Sequence, residues 1–154
     1  MNTYVLIKTG LFLHLTGITM MVGIFIAGMS AHLQFRKLVF SEKEKAFMTL
    51  KATHRYPILQ AVGAILVLLG GITMMIGYRG VIMQLMWFKI KLVVIALIIL
   101  NQLLFGLSLK RKLRREPDAD PASIAATVKR LTVFNAVQIF FFLLIFLLSS
   151  FRFS

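Results

Sequence analysis

The amino-acid sequence predicts an all-α integral membrane protein built as a four-helix bundle. Of its 154 residues, 59% are hydrophobic, and most of these lie in four apolar stretches. A helix of about 20 apolar residues crosses the roughly 30 Å hydrocarbon core of a bilayer. The segments between the stretches are too short for a separate soluble domain, so we expect residues 1–154 to form a single transmembrane domain.

The predicted spans cover approximately residues 4–31, 57–77, 83–108 and 131–150. The first stretch is too long for the apolar region of a signal peptide, so we expect it to be retained as a helix. In the first connection, Ser41 has the pattern of a helix cap, which predicts a short interfacial helix before Pro57 opens the second span. In the second connection, residues 116–121 predict a turn, and Ser123 is expected to cap a helix that continues into the fourth span.

Basic residues are concentrated in two of the connections and predict the orientation of the chain. The segments 32–56 and 110–130 together carry 13 of the 18 lysines and arginines. By the positive-inside rule, both segments face the cytoplasm and both termini face outward. The net charge of +13 is therefore explained by topology and by anionic membrane lipid, and no nucleic-acid partner is expected.

The first span places small and polar residues on one helix face. We call this the His14 face, and its members follow helical spacing: Gly10, His14, Gly17, Met21, Phe25, Gly28 and His32. Two interpretations are open. The glycines let another helix approach closely, with His14 hydrogen-bonded across the contact, or they leave room for a flat ligand.

The third span opens with an aromatic residue and two lysines. Trp87 is typical of a membrane interface, and Lys89 can extend back to that interface. Lys91 lies deeper, where an ammonium group is costly, so it is a candidate functional residue unless it also extends outward. We predict that His14 and Lys91 differ by only about 3 Å in depth and can share one ligand.

Other cysteine or histidine side chains that could ligate a metal are absent or lie too far apart. The sequence has no cysteine, which excludes a thiolate metal site and a cysteine nucleophile. His54 lies at the cytoplasmic end of the second span, and His32 is about 27 Å from His14 along the helix. A bis-histidine site is therefore not expected.

Three motifs resemble the HemJ family of bacterial membrane proteins. They are Leu11-Phe12-Leu13-His14-Leu15-Thr16-Gly17, Trp87-x-x-x-Lys91-Leu92 and Arg130-Leu131-Thr132-Val133-Phe134-Asn135. The resemblance implies a helical bundle that binds haem b and supports the oxidation of protoporphyrinogen. It implies that His14 is the axial iron ligand and that Lys91 is functionally required, with Asn135 and Arg130 supporting.

The sequence departs from the family pattern after Asn135, where Ala136 stands in place of a glutamate. Loss of a carboxylate removes a candidate proton acceptor, so haem binding is favoured over enzymatic turnover. In a haem site, His14 would ligate the iron and Trp87 would line the pocket. Gly10 and Gly17 would leave room for the ring, and Lys91 or Lys89 would lie near the propionates. The expected partners are a tetrapyrrole, an electron acceptor such as a quinone or a respiratory-chain component, and a second copy of the chain in a homo-oligomer.

Two further functions remain open. The histidine and methionine content also resembles CopD-type copper-resistance proteins, in which thioethers would suit Cu(I). The methionines concerned are Met74, Met75, Met83 and Met86. The third interpretation is a structural subunit of a larger membrane complex.

Amide side chains are expected in the cytoplasmic half or near the midplane of the spans. We expect these amides to hydrogen-bond between helices, with a proton or substrate path as the alternative. They are Gln60, Asn101, Gln102, Asn135 and Gln138.

Overall fold

The computed structural model describes residues 2–115 and 119–150, and it is helical with no β-strand among those residues. The prediction of an all-α fold is confirmed for this part of the chain. The helices are α1 (Thr3–Leu38), α2 (Lys43–Ala52), α3 (Tyr56–Gly77), α4 (Met86–Asn101), α5 (Leu107–Arg115) and α6 (Pro121–Ser150). A short 3-10 helix covers Val81–Gln84, and a π-helical segment covers Gln102–Gly106.

Four helical segments are long and apolar enough to cross a membrane. They are Thr3–Leu38, Lys43–Gly77, Met86–Arg115 and Pro121–Ser150. At 1.5 Å per residue, the 36 residues of α1 extend about 54 Å, which exceeds the hydrocarbon thickness of about 30 Å. The helix therefore continues well past the predicted end of the first span at residue 31.

The third span differs from its prediction in two respects. The third span begins at Met86 and not at residue 83, because Val81–Gln84 form a 3-10 turn and Leu85 is extended. The same span is not α-helical throughout, since the π-helical segment interrupts it. The predicted helix in the first connection is confirmed as α2.

The predicted cap at Ser123 is wrong. The side chain of Asp120 accepts a hydrogen bond from the Ala122 backbone N–H at 3.0 Å, and α6 begins at Pro121. Proline suits the first turn of a helix because its missing N–H would have no intrahelical partner there. Of the predicted turn, residues 116–118 lie outside the described residues.

The chain divides into two compact units. The first unit, Met1–Ala31 with Ala52–Leu85, packs α1 against α3 through glycines. A Cβ atom on Gly17 would lie 2.6 Å from the Gly63 carbonyl oxygen, and one on Gly77 would lie 2.6 Å from the side chain of Ile7. The two helices are therefore in contact along their backbones, as small residues allow in membrane proteins.

The second unit, His32–Lys51 with Met86–Ser154, contains two clusters of buried side chains. The larger cluster includes Phe35, Ala46, Leu113, Leu131 and Phe134. The smaller cluster joins α4 to α6 through Val94, Ile98 and Leu148.

The π-helical segment of the second unit lies against α6. Gly106, its last residue, is buried, and a Cβ atom there would lie 2.7 Å from the ring of Phe134. The absence of a side chain at this position therefore lets the aromatic ring of α6 pack on the π-helical backbone.

Candidate functional site

His14 is held on α1 by a hydrogen bond to the backbone of α3. Its Nδ1 lies 2.8 Å from the carbonyl oxygen of Val67. A carbonyl oxygen only accepts, so Nδ1 carries the hydrogen, and in the neutral ring the lone pair is on Nε2. Histidines that ligate metals typically donate their other ring N–H to a carbonyl or carboxylate in this way. The ring therefore has the tautomer that a metal ligand needs.

The glycines beside His14 are in contact with α3. A Cβ atom on Gly10 would lie 2.9 Å from the Gly70 carbonyl oxygen, and one on Gly70 would lie 2.5 Å from the backbone nitrogen of His14. Of the two interpretations of the His14 face, the structure shows close helix approach at Gly10 and Gly17. The space beside these glycines is filled by α3, so the clearance predicted there for a flat ligand is not present.

Lys91 on α4 is bonded to α6. Its Nζ donates to the Ser149 hydroxyl oxygen at 2.9 Å, and that hydroxyl donates in turn to the Ile145 carbonyl oxygen at 2.7 Å. Because α4 begins at Met86, Lys91 is only about 8 Å from the start of its helix. The ammonium group therefore has a polar partner near the end of a predicted span.

His14 and Lys91 belong to different units of the chain. Each has a hydrogen-bond partner within its own unit, Val67 for His14 and Ser149 for Lys91. The prediction that the two residues share one ligand stays a prediction.

The remaining predicted site residues lie in the second unit. Trp87 packs edge-to-face on Phe88, with ring centroids 5.9 Å apart, and Lys89 is exposed. On α6, Asn135 is buried and Arg130 is exposed. Five residues separate them, which is about 140° around a helix, so they do not come together on one face. The cofactor-binding and catalytic roles predicted for these residues stay predictions.

One predicted amide contact is confirmed. The Asn101 side-chain nitrogen donates to the Gln138 side-chain oxygen at 2.8 Å, and Gln138 is only 1% exposed. The bond joins α4 to α6 at the residue where the α-helix gives way to the π-helical segment. π-helical turns are frequent at functional sites, so this junction belongs among the candidate sites.

The hydrogen bond between the buried His32 on α1 and Thr132 on α6 was not predicted. His32 Nε2 lies 3.0 Å from the Thr132 hydroxyl oxygen, and that hydroxyl donates to the Val128 carbonyl oxygen at 3.0 Å. The hydroxyl hydrogen is therefore used, and His32 must donate to Thr132. His32 is 7% exposed, and its Nδ1 is buried with no hydrogen-bond partner among the residues that the structure describes. The helical spacing placed His32 on the His14 face, but only the structure shows its partner on α6.

A clustered metal site is not found in the described part of the chain, where no group of three or more His, Cys, Asp or Glu side chains lies together. The resemblance to the HemJ family rests on the three sequence motifs. Comparisons of the chain with protein-family models, curated proteins and solved structures find no match.

Proposed function

We propose that the chain is an integral membrane protein that binds haem b through His14. The observation that carries the proposal is the hydrogen bond from His14 Nδ1 to the Val67 carbonyl oxygen. It sets the ring orientation and leaves the lone pair on Nε2, the nitrogen that would ligate iron. His14 lies about 17 Å from the start of α1, within a helix long and apolar enough to span a bilayer.

The surroundings limit where such a cofactor fits. A macrocycle cannot lie against Gly10 or Gly17, because α3 covers both positions. The His14 imidazole is a suitable donor for haem iron. The space for the macrocycle, however, is not provided by the glycines of the His14 face. Haem iron, when bound, carries single electrons between its ferric and ferrous forms.

The family resemblance extends the proposal to protoporphyrinogen oxidation or to electron transfer to the respiratory chain. In this view Lys91 and Lys89 pair with carboxylates of the tetrapyrrole, and Arg130 and Asn135 support the reaction. The same proposal includes the orientation with both termini outside, which the positive-inside rule predicts, and a bacterial inner membrane, which the family resemblance implies.

An absorption spectrum of the detergent-purified protein, oxidised and reduced, tests haem binding. We expect a Soret band that His14→Ala abolishes, whereas His54→Ala, at an exposed position, retains it. Because His14→Ala also removes a helix contact, His14→Gly is measured with added imidazole, which should restore the band while circular dichroism confirms the helix content. The absence of a Soret band in wild-type protein expressed with sufficient haem would refute the proposal.

Copper binding is the second candidate function. It is favoured by Met74 on α3, whose side chain packs against Gly10, one helical turn before His14. Thioether and imidazole donors together suit Cu(I). Stoichiometric copper in the purified protein, lost in both His14→Ala and Met74→Leu, would support this candidate, and metal content that is independent of both residues would exclude it.

Enzymatic turnover needs its own test. Expression in a bacterial strain that lacks its own protoporphyrinogen oxidase should restore growth if the chain oxidises this substrate. Haem binding without such rescue would favour an electron-transfer role.

A further inference from the structure

A groove of about 480 Å³ lies on the second unit, beside the C-terminal end of α1 and the first half of α6. Two cations, Arg36 and Lys129, line it together with the apolar side chains of Phe40 and Val133. Both apolar side chains are strongly exposed, at 65% for Phe40 and 57% for Val133. The groove therefore combines positive charge with uncovered apolar surface.

The two cations of the groove are not neutralised within the described residues. The ion pair between Lys45 and Glu42 lies on the exposed surface of the first connection and involves neither cation of the groove. Neither Arg36 nor Lys129 pairs with a carboxylate in the described part of the chain. An anion that enters the groove would therefore meet two charges without a competing acidic side chain from these residues.

One polar residue of the groove wall is held in place by two part-buried hydrogen bonds. Thr132 lines the groove, donates to the Val128 carbonyl oxygen and accepts from His32. Its hydroxyl hydrogen is thus already used, and it cannot donate to a ligand without breaking this arrangement. Anion binding is left to Arg36 and Lys129, with Thr132 as a fixed polar wall.

We propose that this groove binds the phosphate headgroup of an anionic phospholipid. Basic pockets beside transmembrane helices are suited to lipid phosphates, because the cations attract the headgroup while apolar side chains contact the acyl chains. The groove meets both conditions, with Arg36 and Lys129 for the phosphate and with Phe40 and Val133 exposed beside them. A soluble anion would gain nothing from the apolar walls.

The location in the chain agrees with this occupant. Arg36 is in the last turn of α1, and Lys129 lies about 12 Å from the start of α6. Both belong to segments that carry most of the basic residues, so the lipid would come from the leaflet that these segments face. The proposal requires that the helices span a membrane but does not depend on haem or copper binding.

The test uses the full-length protein, delipidated in detergent and titrated with palmitoyl-oleoyl phosphatidylglycerol or phosphatidylcholine. Native mass spectrometry counts the bound lipid. We expect wild-type protein to prefer phosphatidylglycerol. The double variant Arg36→Gln with Lys129→Gln should bind phosphatidylglycerol about tenfold more weakly, or weaker still. Phosphatidylcholine binding should not change.

The control is Lys37→Gln with Lys51→Gln, which removes the same charge from exposed positions that do not line the groove. It should retain the preference. Val133→Trp fills the groove without changing charge at a position that is already exposed, and it should also weaken phosphatidylglycerol binding. Equal loss in the control, no effect of Val133→Trp, no lipid preference in the wild type, or displacement by millimolar inorganic phosphate would each overturn the proposal.

Discussion

The α-carbon of Gly70 lies so close to the backbone of His14 that a Cβ atom there would be 2.5 Å from the His14 nitrogen. No real side chain tolerates that distance, so α1 and α3 depend on glycine at this crossing. The same contact positions the His14 ring to donate to Val67. In the first unit, the same backbone contact therefore accompanies both the packing of α1 on α3 and the orientation of the His14 ring, the candidate ligand.

Replacement of Gly70 by alanine is expected to separate α1 from α3. The clash of the new Cβ atom cannot be relieved by a side-chain rotation, because the atoms that it meets belong to the main chain of Gly10 and His14. We expect a loss of about 1–3 kcal/mol in the free energy of unfolding. Denaturation in mixed detergent micelles, followed by circular dichroism, measures this loss.

The control for Gly70→Ala is Gly23→Ala. Gly23 lies on α1, and a Cβ atom there would meet nothing within 4 Å. Alanine is favoured over glycine in a helix by roughly 0.5–1 kcal/mol, so this variant should be as stable as the wild type or slightly more so. Equal destabilisation by both variants would contradict the close contact at Gly70.

The hydrogen bond between His32 and Thr132 gives a second prediction, on the stability of the second unit. Thr132→Val removes the acceptor and leaves a buried N–H of His32 unsatisfied, which costs about 1–3 kcal/mol. Replacing both residues, as His32→Leu with Thr132→Val, removes donor and acceptor together. We therefore expect the double variant to lose less stability than the sum of the two single variants.

A double-mutant cycle in detergent measures this coupling, with urea or mixed micelles as denaturant. Additive losses in the cycle would show that the two side chains do not interact. The matched control is Thr19→Val, because Thr19 is exposed on α1 and its hydroxyl donates to the Leu15 carbonyl of its own helix. It should change stability by a few tenths of a kcal/mol at most.

Much of the fold could be predicted from the sequence, because length and hydropathy alone determine whether a helix can cross a bilayer. The end of α3 at Gly77 and the helix after Ser41 follow from residues next to them in the chain. The π-helical segment could not be predicted in this way. It accompanies the packing of Phe134 on Gly106, a contact between residues far apart in sequence.

The candidate site was less accessible to prediction for a similar reason. The spacing of the His14 face correctly indicated one helix surface, but it could not tell a helix contact from a ligand slot. The partner of His14 is a backbone carbonyl of the apolar residue Val67, which no polar side chain in α3 marks. The partner of His32 is a threonine on α6, and only the tertiary structure identifies it.

The Asn101–Gln138 bond leads to a third prediction. Gln138→Leu leaves the Asn101 amide without its acceptor beside the π-helical segment. Hydrogen bonds between helices in membranes contribute about 0.6 kcal/mol on average and up to about 1.7. Because Gln138 is almost fully buried, we expect a loss at the upper end of this range in detergent unfolding. Gln34→Leu, at an exposed position of α1, should not lower stability, and an equal loss there would refute a specific role for the bond.

Variants of Lys91 give a fourth prediction, because they distinguish a structural role of this residue from a role in the candidate site. If Lys91 only satisfies Ser149, then Lys91→Met and Ser149→Ala remove the same hydrogen bond and should have similarly small effects, near 0.6 kcal/mol. If Lys91 also pairs with a carboxylate of bound haem, only Lys91→Met should shift the reduced absorption spectrum and weaken haem retention. Ser150→Ala, next to Ser149 and also exposed, is the control.

We expect the second pattern, in which Lys91→Met changes the haem spectrum while Ser149→Ala and Ser150→Ala do not. The reason is that a hydroxyl partner satisfies only one of the three N–H groups of the ammonium, which leaves donors for a second acceptor. Paired spectra and haem-to-protein ratios of the three variants provide the measurement. Identical spectra in Lys91→Met and wild type would place Lys91 outside the haem site and leave His14 as the predicted residue that carries it.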